Sequence, residues 1–312
     1  NRYPLKEIEE MTLKTRKIGL GVMGFADMLI QLGIPYDSEE GVQIARDVMR
    51  FIDQKSKEMS EKLAEERGAF PAYEGSIYKE RKRKLRNATT TTIAPTGTIS
   101  IIAGASSGIE PLFAISYFRN VMDKDKLLEI HPLFEQIAKE RDFYSKERME
   151  EVAQTGSVQK FSEIPEDVKR IFVTAHDISP YWHVRMQAAF QEYVDNAVSK
   201  TVNFRHEATK KEVEEVFKLA YKLGCKGITI YRDGSREEQV LNIGVPEGKK
   251  YESATNHPLI PRPRPAITTG LTEKVKIGCG NLYITANYDE QGICEVITNL
   301  GRAGGCPSQS EA

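Results

Sequence analysis

Six consecutive residues, Pro95, Thr96, Gly97, Thr98, Ile99 and Ser100, combine what an anion site needs: a glycine, three hydroxyls and a run of backbone amides opening a helix. Amides at a helix N-terminus attract negative charge, and nearby hydroxyls add hydrogen bonds. The chemistry that fits is phosphate binding. No lysine accompanies the segment as it does in a P-loop, so a Ser/Thr-rich turn whose hydroxyls only cap a helix is the competing reading. A second candidate is Arg232, Asp233, Gly234, Ser235 and Arg236, which bind an anion or form a surface ion network.

Other chemical groupings carry less. His176 and His183 have no metal-ligand spacing and read as packing or substrate-facing residues. Of the four cysteines, Cys279, Cys294 and Cys306 are spaced Cys-x14-Cys-x11-Cys, unlike the paired C-x-x-C of a zinc site. Cys225 precedes a strand and reads as buried packing. Gly19-Leu20-Gly21-Val22-Met23-Gly24 is a literal GxGxxG, yet KTRKI before it is no hydrophobic strand. Those glycines are read instead as a site of close helix packing or a break between two helices. No catalytic group and no metal ligand is assigned.

The elements that must position these residues are α/β in character. Residues 89–93, four threonines and an isoleucine, read as a strand, stopped by Ala94-Pro95. Residues 201–204 form a strand, Thr209 with Glu212 a capping box, residues 209–223 a helix with Val213, Val216, Phe217 and Ala220 inward, and residues 227–231 a second strand after Gly224. Strand, helix and strand so close imply a right-handed crossover and a parallel sheet. Ligands collect at the carboxyl ends of such strands, where both candidate loops fall.

Upstream, a helix is expected from Pro4 toward Gly33. Asp37 with Glu40 is read as a capping box opening a helix through Arg67, with Val42, Ala45, Val48, Ile52, Met59 and Leu63 near one face. Residues 132–141, 146–154 and 165–174 read as short helices, and Ser179-Pro180 opens another running to Ala197. The proline-rich stretch 246–267 reads as a linker. After it, residues 275–277, 282–287 and 294–298 read as strands of a small domain over 268–312.

Composition narrows the classes. In 312 residues, Lys+Arg 44 and Asp+Glu 45 leave a net charge of −1, which argues against nucleic acid as a partner. The basic run 79–86 reads as a solvated helix face. No apolar run is long enough to span a bilayer, no leader is evident, and the cysteines are too few for a disulfide scaffold. The expectation is a soluble, cytoplasmic protein without membrane contact.

Four stretches together carry a family resemblance: IGLGVMGFAD (18–27), TTTTIAPTGTISIIAGASSGIEP (89–111), MQAAFQEYVDNAVSKTVNF (186–204) and GCKGITIYRDGSR (224–236). They resemble the catalytic chain of ribonucleotide reductase, in its adenosylcobalamin-dependent class II branch. GLTEKVKIGCGNLYITANYDEQGICEV resembles the start of that branch's C-terminal domain. The resemblance implies the C-terminal part of a ten-stranded α/β barrel over residues 1–245, followed by a truncated accessory domain. It implies reduction of ribonucleotides to 2′-deoxyribonucleotides through a thiyl radical initiated by adenosylcobalamin, in the service of DNA synthesis. The substrate's phosphates would lie on Pro95, Thr96, Gly97, Thr98 and Ile99, with Ser100 adjacent.

The family's radical loop, Asn-x-Cys-x-Glu, does not occur in the sequence. The chain is therefore expected to be part of a longer enzyme, inactive alone. The partners implied are a ribonucleotide, the N-terminal part of the same enzyme, a dithiol reductant such as thioredoxin and, when complete, a second copy as a homodimer. The alternative is a nucleotide-binding or scaffolding half-barrel without catalysis of its own.

Overall fold

The computed structural model describes residues 3–121, 125–235, 269–277, 280–289 and 292–300. In chain order these form α1 (Lys6–Thr15), α2 (Phe25–Leu32), α3 (Glu39–Arg67), a 3-10 turn (Pro71–Gly75), α4 (Ile77–Glu80) and α5 (Gly97–Ala103). There follow β1 (Ser116–Val121), β2 (Asp125–Ile130), α6 (Pro132–Glu140), α7 (Lys146–Thr155), α8 (Glu166–Ile171) and α9 (Pro180–Gln191). The last are β3 (Thr201–Phe204), α10 (Lys210–Lys222), β4 (Thr229–Arg232), β5 (Thr269–Ile277), β6 (Gly280–Asp289) and β7 (Gly292–Leu300). The chain divides into two compact units, Asn1–Glu247 and Gly248–Ala312. The proline-rich stretch 246–267 lies outside the described residues.

Extended segments of the first unit pair in parallel, Leu112↔Thr174 by a single bridge among them. β3 pairs with β4 in parallel register from Thr201↔Thr229 to Phe204↔Arg232. Single parallel bridges add Ile93↔Val198 and Leu20↔Thr91. The threonine segment is thus extended as expected, but it joins its neighbours through bridges rather than a full ladder. Its amide and carbonyl groups are still used: Leu20 N donates to Thr90 O at 2.8 Å, Thr92 N to Leu20 O at 2.9 Å, and Ser199 N to Ile93 O at 2.9 Å.

The GxGxxG has its explanation here. A Cβ on Gly21 would lie 2.1 Å from Thr92 O, and one on Gly19 would lie 2.4 Å from Thr92 Cγ2. The glycines let an extended segment, not a helix, approach the threonines. The helix expected from Pro4 toward Gly33 is consequently two: α1 ends at Thr15, and α2 begins after Gly24.

α3 shows how local pattern and tertiary demand interact. Its N-cap is Ser38, whose hydroxyl accepts from Gly41 N at 3.0 Å; the box read at Asp37 and Glu40 is corrected by one residue, because Asp37 is engaged with Arg170. Val42, Ala45 and Met49 are fully buried, as a helical stripe requires. Farther along, Met59 faces solvent while Lys57 and Ser60 are buried. The stripe turns polar there because these two side chains meet the threonine segment.

The main core gathers α2, α3, α6, α7 and α9. Phe25 packs edge-on against Phe190 with centroids 4.9 Å apart, and Phe134 against Phe172 at 5.1 Å. A smaller cluster of Val184, Val202, Phe204, Val216 and Ala220 lies under the crossover. The capping box at Thr209 and Glu212 is present, but Phe217, expected inward, is 48% exposed. α9 ends at Gln191 rather than Ala197, since Asp195 and Asn196 bond instead to the threonine segment. Ser179 precedes α9 but makes no side-chain cap.

In the second unit, β5, β6 and β7 form an antiparallel meander, with an irregularity at Asn287/Tyr288. Thr272 and Thr285 share a cross-strand hydroxyl bond of 2.8 Å. The three strands read from the sequence fall within these longer ones.

Candidate functional site: a loop held from behind

The threonine segment stands on buried charge. Lys57, 4% exposed, donates to Thr90 Oγ1 at 2.7 Å, lies 3.1 Å from Asp53 Oδ1 and bonds to Asp195. Asp195 Oδ2 also accepts from Thr90 N at 2.6 Å. Burial alone would raise the Asp195 carboxyl, but the Lys57 ammonium and the Thr90 amide hold it below the usual carboxylate range. Ser60 Oγ donates to Asn87 Oδ1 at 3.0 Å, fixing the segment's start.

The chain leaves this footing at Ala94 and enters the loop 94–111. Thr96 adopts the left-handed conformation with φ 56° and forms no side-chain cap on α5. Its hydroxyl instead accepts from Gly108 N at 2.7 Å, which ties the loop's entry to its exit. Ser107 Oγ donates to Pro95 O at 2.6 Å across the same neck. The hydroxyl of Ser100 is turned inward to Gly97 O at 3.0 Å. Ser100 N donates to Thr96 O, so the amides of Gly97, Thr98 and Ile99 precede the first intrahelical bond.

The six residues read from the sequence therefore divide. Pro95, Gly97, Thr98 and Ile99 are exposed, Thr96 is half-buried and committed to Gly108, and Ser100 is buried. Gly97, Thr98 and Ile99 are exposed, and among the described residues no acceptor takes their amides. No side-chain oxygen of the described residues caps them.

Three further ties hold the loop, and sequence reading missed all of them. Asp27 Oδ2 accepts from Ser106 N at 2.6 Å, and Asp27 Oδ1 lies 3.0 Å from His131 Nε2. Burial would raise this carboxyl too, but His131 and Ser106 keep it low. Tyr36 OH donates to Ile109 O at 2.6 Å, and burial with the nearby Glu110 raises its phenol well above its usual pKa.

Glu110 accepts from Lys200 Nζ and from Thr201 N, both at 2.6 Å. The Lys200 side chain is wholly buried and bonds also to His183 Nδ1 at 2.8 Å and Thr201 O at 2.6 Å. His183 Nε2 lies 3.0 Å from Ala175 O. Its place in the fold makes His183 a packing residue, not a ligand. The only sequence signal for these ties was the presence of acidic, basic and imidazole residues inside apolar stretches.

The second candidate loop is built differently. Asp233 N donates to Phe204 O at 3.0 Å and Ser235 N to Arg232 O at 3.1 Å, with Arg232 exposed; Arg236 lies outside the described residues. A cavity of about 420 Å³ opens at the end of β3, lined by His176, Ser179, Asn203, Arg205 and Glu212 among others. A larger cleft of about 830 Å³ borders the basic run, where Arg83 pairs with Glu61 and Lys79 with Glu74. Both signs of charge line it, so it favours no single ion.

Cys225 is half-buried, and burial raises its thiol above its usual pKa. Cys279 and Cys306 lie outside the described residues. Among the described residues no group of three or more His, Cys, Asp or Glu side chains is placed to hold a metal ion.

Comparison with known proteins gives a concordant picture. Residues 1–231 match the family model described as "Ribonucleotide reductase, barrel domain". The chain is 54% identical over 252 residues to a vitamin B12-dependent ribonucleoside-diphosphate reductase of Thermoplasma acidophilum, covering 81% of this chain and 33% of that protein. It is 50% identical over 247 residues to the protein of the same name from Mycobacterium tuberculosis, covering 79% of this chain and 35% of the relative. The chain thus spans about a third of the length of these curated relatives. Among solved structures, the class Id ribonucleotide reductase alpha subunit of Actinobacillus ureae superposes with a TM-score of 0.62 at 24% identity, over 72% of this chain and 40% of that one. The α/β barrel expected from the resemblance agrees with these matches.

Proposed function

The chain belongs to the ribonucleotide reductase barrel-domain family, and from that premise we propose that its 94–111 loop binds the phosphate groups of a ribonucleotide substrate. The observation that carries this reading is the unsatisfied edge of α5. The hydroxyls of Thr96 and Ser100 are spent elsewhere, and the amides of the exposed Gly97, Thr98 and Ile99 have no acceptor among the described residues. Phosphate oxygens satisfy such amides by charge-assisted bonds. Thr98 supplies a hydroxyl, Pro95 and Thr96 set the entry of the loop, and Ser100 fixes the first turn from within.

The complete protein, in this proposal, is a vitamin B12-dependent reductase that converts ribonucleoside diphosphates to 2′-deoxyribonucleotides for DNA synthesis. Residues 1–245 supply the substrate-holding part of the barrel, 246–267 a linker, and 268–312 the start of an accessory domain. The radical thiol, a dithiol reductant such as thioredoxin, the remaining part of the same enzyme and a second copy belong to that assembly, in the cytoplasm. Among the described residues no helix is long and apolar enough to cross a membrane.

Adenosylcobalamin, when bound, supplies the radical that starts the reaction. The buried His183 does not fit it, because both of its ring nitrogens are engaged, by Ala175 and by Lys200. No step through the cofactor is assigned to this loop region. Its part is to hold substrate.

Titration with a ribonucleoside diphosphate, followed by calorimetry, tests the reading. Thr98 is exposed, so Thr98→Val leaves packing intact; its loss is expected to weaken binding by about 1–3 kcal/mol, the range for a hydrogen bond to a charged group. An unchanged dissociation constant would leave the segment as a helix-starting turn.

A further inference from the structure

We propose that Glu110 and Lys200 are positioning residues for the phosphate loop, a buried ion pair that holds the loop's return arm against its amide-bearing arm. The inference rests on the phosphate reading above. Lys200 has three donors and three acceptors: Glu110 Oε2 at 2.6 Å, Thr201 O at 2.6 Å and His183 Nδ1 at 2.8 Å. Ala175 O can only accept, so His183 carries its proton on Nε2 and offers a lone pair at Nδ1. With a neutral His183 and a charged Lys200, every one of these contacts sets a donor against an acceptor. Glu110 is likewise filled, with Oε1 on Thr201 N and Oε2 on Lys200.

The pair's reach to the ligand is short. Glu110 stands two residues after Gly108, whose amide is bonded to Thr96 Oγ1, and Thr96 directly precedes the exposed amides. Gly108 has φ 52°, and a Cβ there would lie 3.3 Å from Ala94 O, so the two arms of the neck are already in contact. A shift of Glu110 therefore passes through one bond into the geometry of the amides. Buried ion pairs stabilise little compared with apolar packing of the same volume; here both members are also bonded to the Thr201 backbone, which fixes their orientation.

Charge gives a second reason for the pair. A bare carboxylate at position 110 would repel an incoming phosphate, and Lys200 neutralises it from the buried side. Glu110 is 27% exposed on its side chain while Lys200 is not exposed at all, so the loop presents neither full charge to its ligand. Its selectivity is left to the amides.

The test measures pyrophosphate and ADP binding by calorimetry, with hydrogen exchange read at the Gly108 amide. Glu110→Gln places an amide N–H₂ where Lys200 or Thr201 must donate, and Lys200→Met strips the carboxylate of its counter-ion. Each is expected to weaken binding about tenfold and to speed exchange at Gly108, with Lys200→Met the weaker binder. Val152→Ala, a cavity in the remote core of α7, serves as the control of comparable melting loss; it is expected to keep the parent's affinity. If Glu110→Gln and Lys200→Met bind as tightly as the parent, or if Val152→Ala weakens binding equally, the inference is overturned. A parent that binds neither probe overturns the phosphate reading itself, and this inference with it.

Discussion

Two loops leave parallel strands of the first unit at their carboxyl ends, and they are held in opposite ways. The loop 94–111 is gripped by side chains from distant elements: Asp27, Tyr36, Lys200 and its own Thr96 each take one backbone or carboxylate group. The turn after β4 is held chiefly through its backbone: Asp233 N bonds to Phe204 O and Ser235 N to Arg232 O, and His206 Nδ1 lies 3.1 Å from Asp233 O. Both carry residues that could meet an anion. The first has its frame fixed by these side-chain ties independently of any ligand, which is the arrangement that lowers the entropic cost of binding.

The comparison breaks most sharply at Lys57. Lys57→Met leaves Asp195 buried beside Thr90 without its ammonium, and removal of one partner from a buried pair typically costs about 3–5 kcal/mol. Urea unfolding should show that loss, and pyrophosphate binding should weaken because the segment feeding the loop is released. A stability change below about 1 kcal/mol would mean that the footing is not electrostatic.

His183 gives an intermediate effect that depends on pH. Burial, and next to it the Lys200 ammonium, push its pKa well below the ordinary 6.5. The unfolded chain takes up a proton near pH 6.5 that the folded chain refuses. The contribution is complete above that pH and is lost as pH falls below it, at about 1.4 kcal/mol per pH unit for one proton. Stability measured from pH 7 to pH 5 should fall more steeply in the parent than in His183→Asn. Equal slopes would remove His183 from the account.

The smallest effect belongs to the other loop. Arg232→Ala alters an exposed side chain and is expected to stay within about 0.5 kcal/mol of the parent in stability, with pyrophosphate binding unchanged. A marked loss of binding would erase the difference between the loops.

What could be read from the sequence was what the chain settles over a few residues. The Thr209–Glu212 capping box and the crossover from β3 to β4 are local, and both are present. The box at residues 37–40 shifted to Ser38 because Asp37 found Arg170, far away in sequence. α9 was read too long because nothing near Asp195 announces Thr90. PTGTIS was visible as a pattern of types, but which hydroxyls face outward was not, since Gly108 decides the fate of Thr96. The Glu110–Lys200–His183 group was invisible for the same reason. Its members are brought together by topology, and no spacing along the chain marks them.

The bridges around the threonine segment join residues far apart in the chain: Thr89 Oγ1 reaches Ile18 O across 71 positions and Thr92 Oγ1 reaches Ala197 O across 105. Closure entropy grows only with the logarithm of loop length, about 0.6 kcal/mol for each doubling. Extra residues in the connections between the bridged segments would therefore cost the fold little. A single residue inserted between Thr91 and Ile93 would be another matter, since one step along an extended segment turns every side chain to the opposite face. Lengthening costs little where the chain travels and much where its backbone is bridged, so the spacing between Thr91 and Ile93 is held by both neighbours at once.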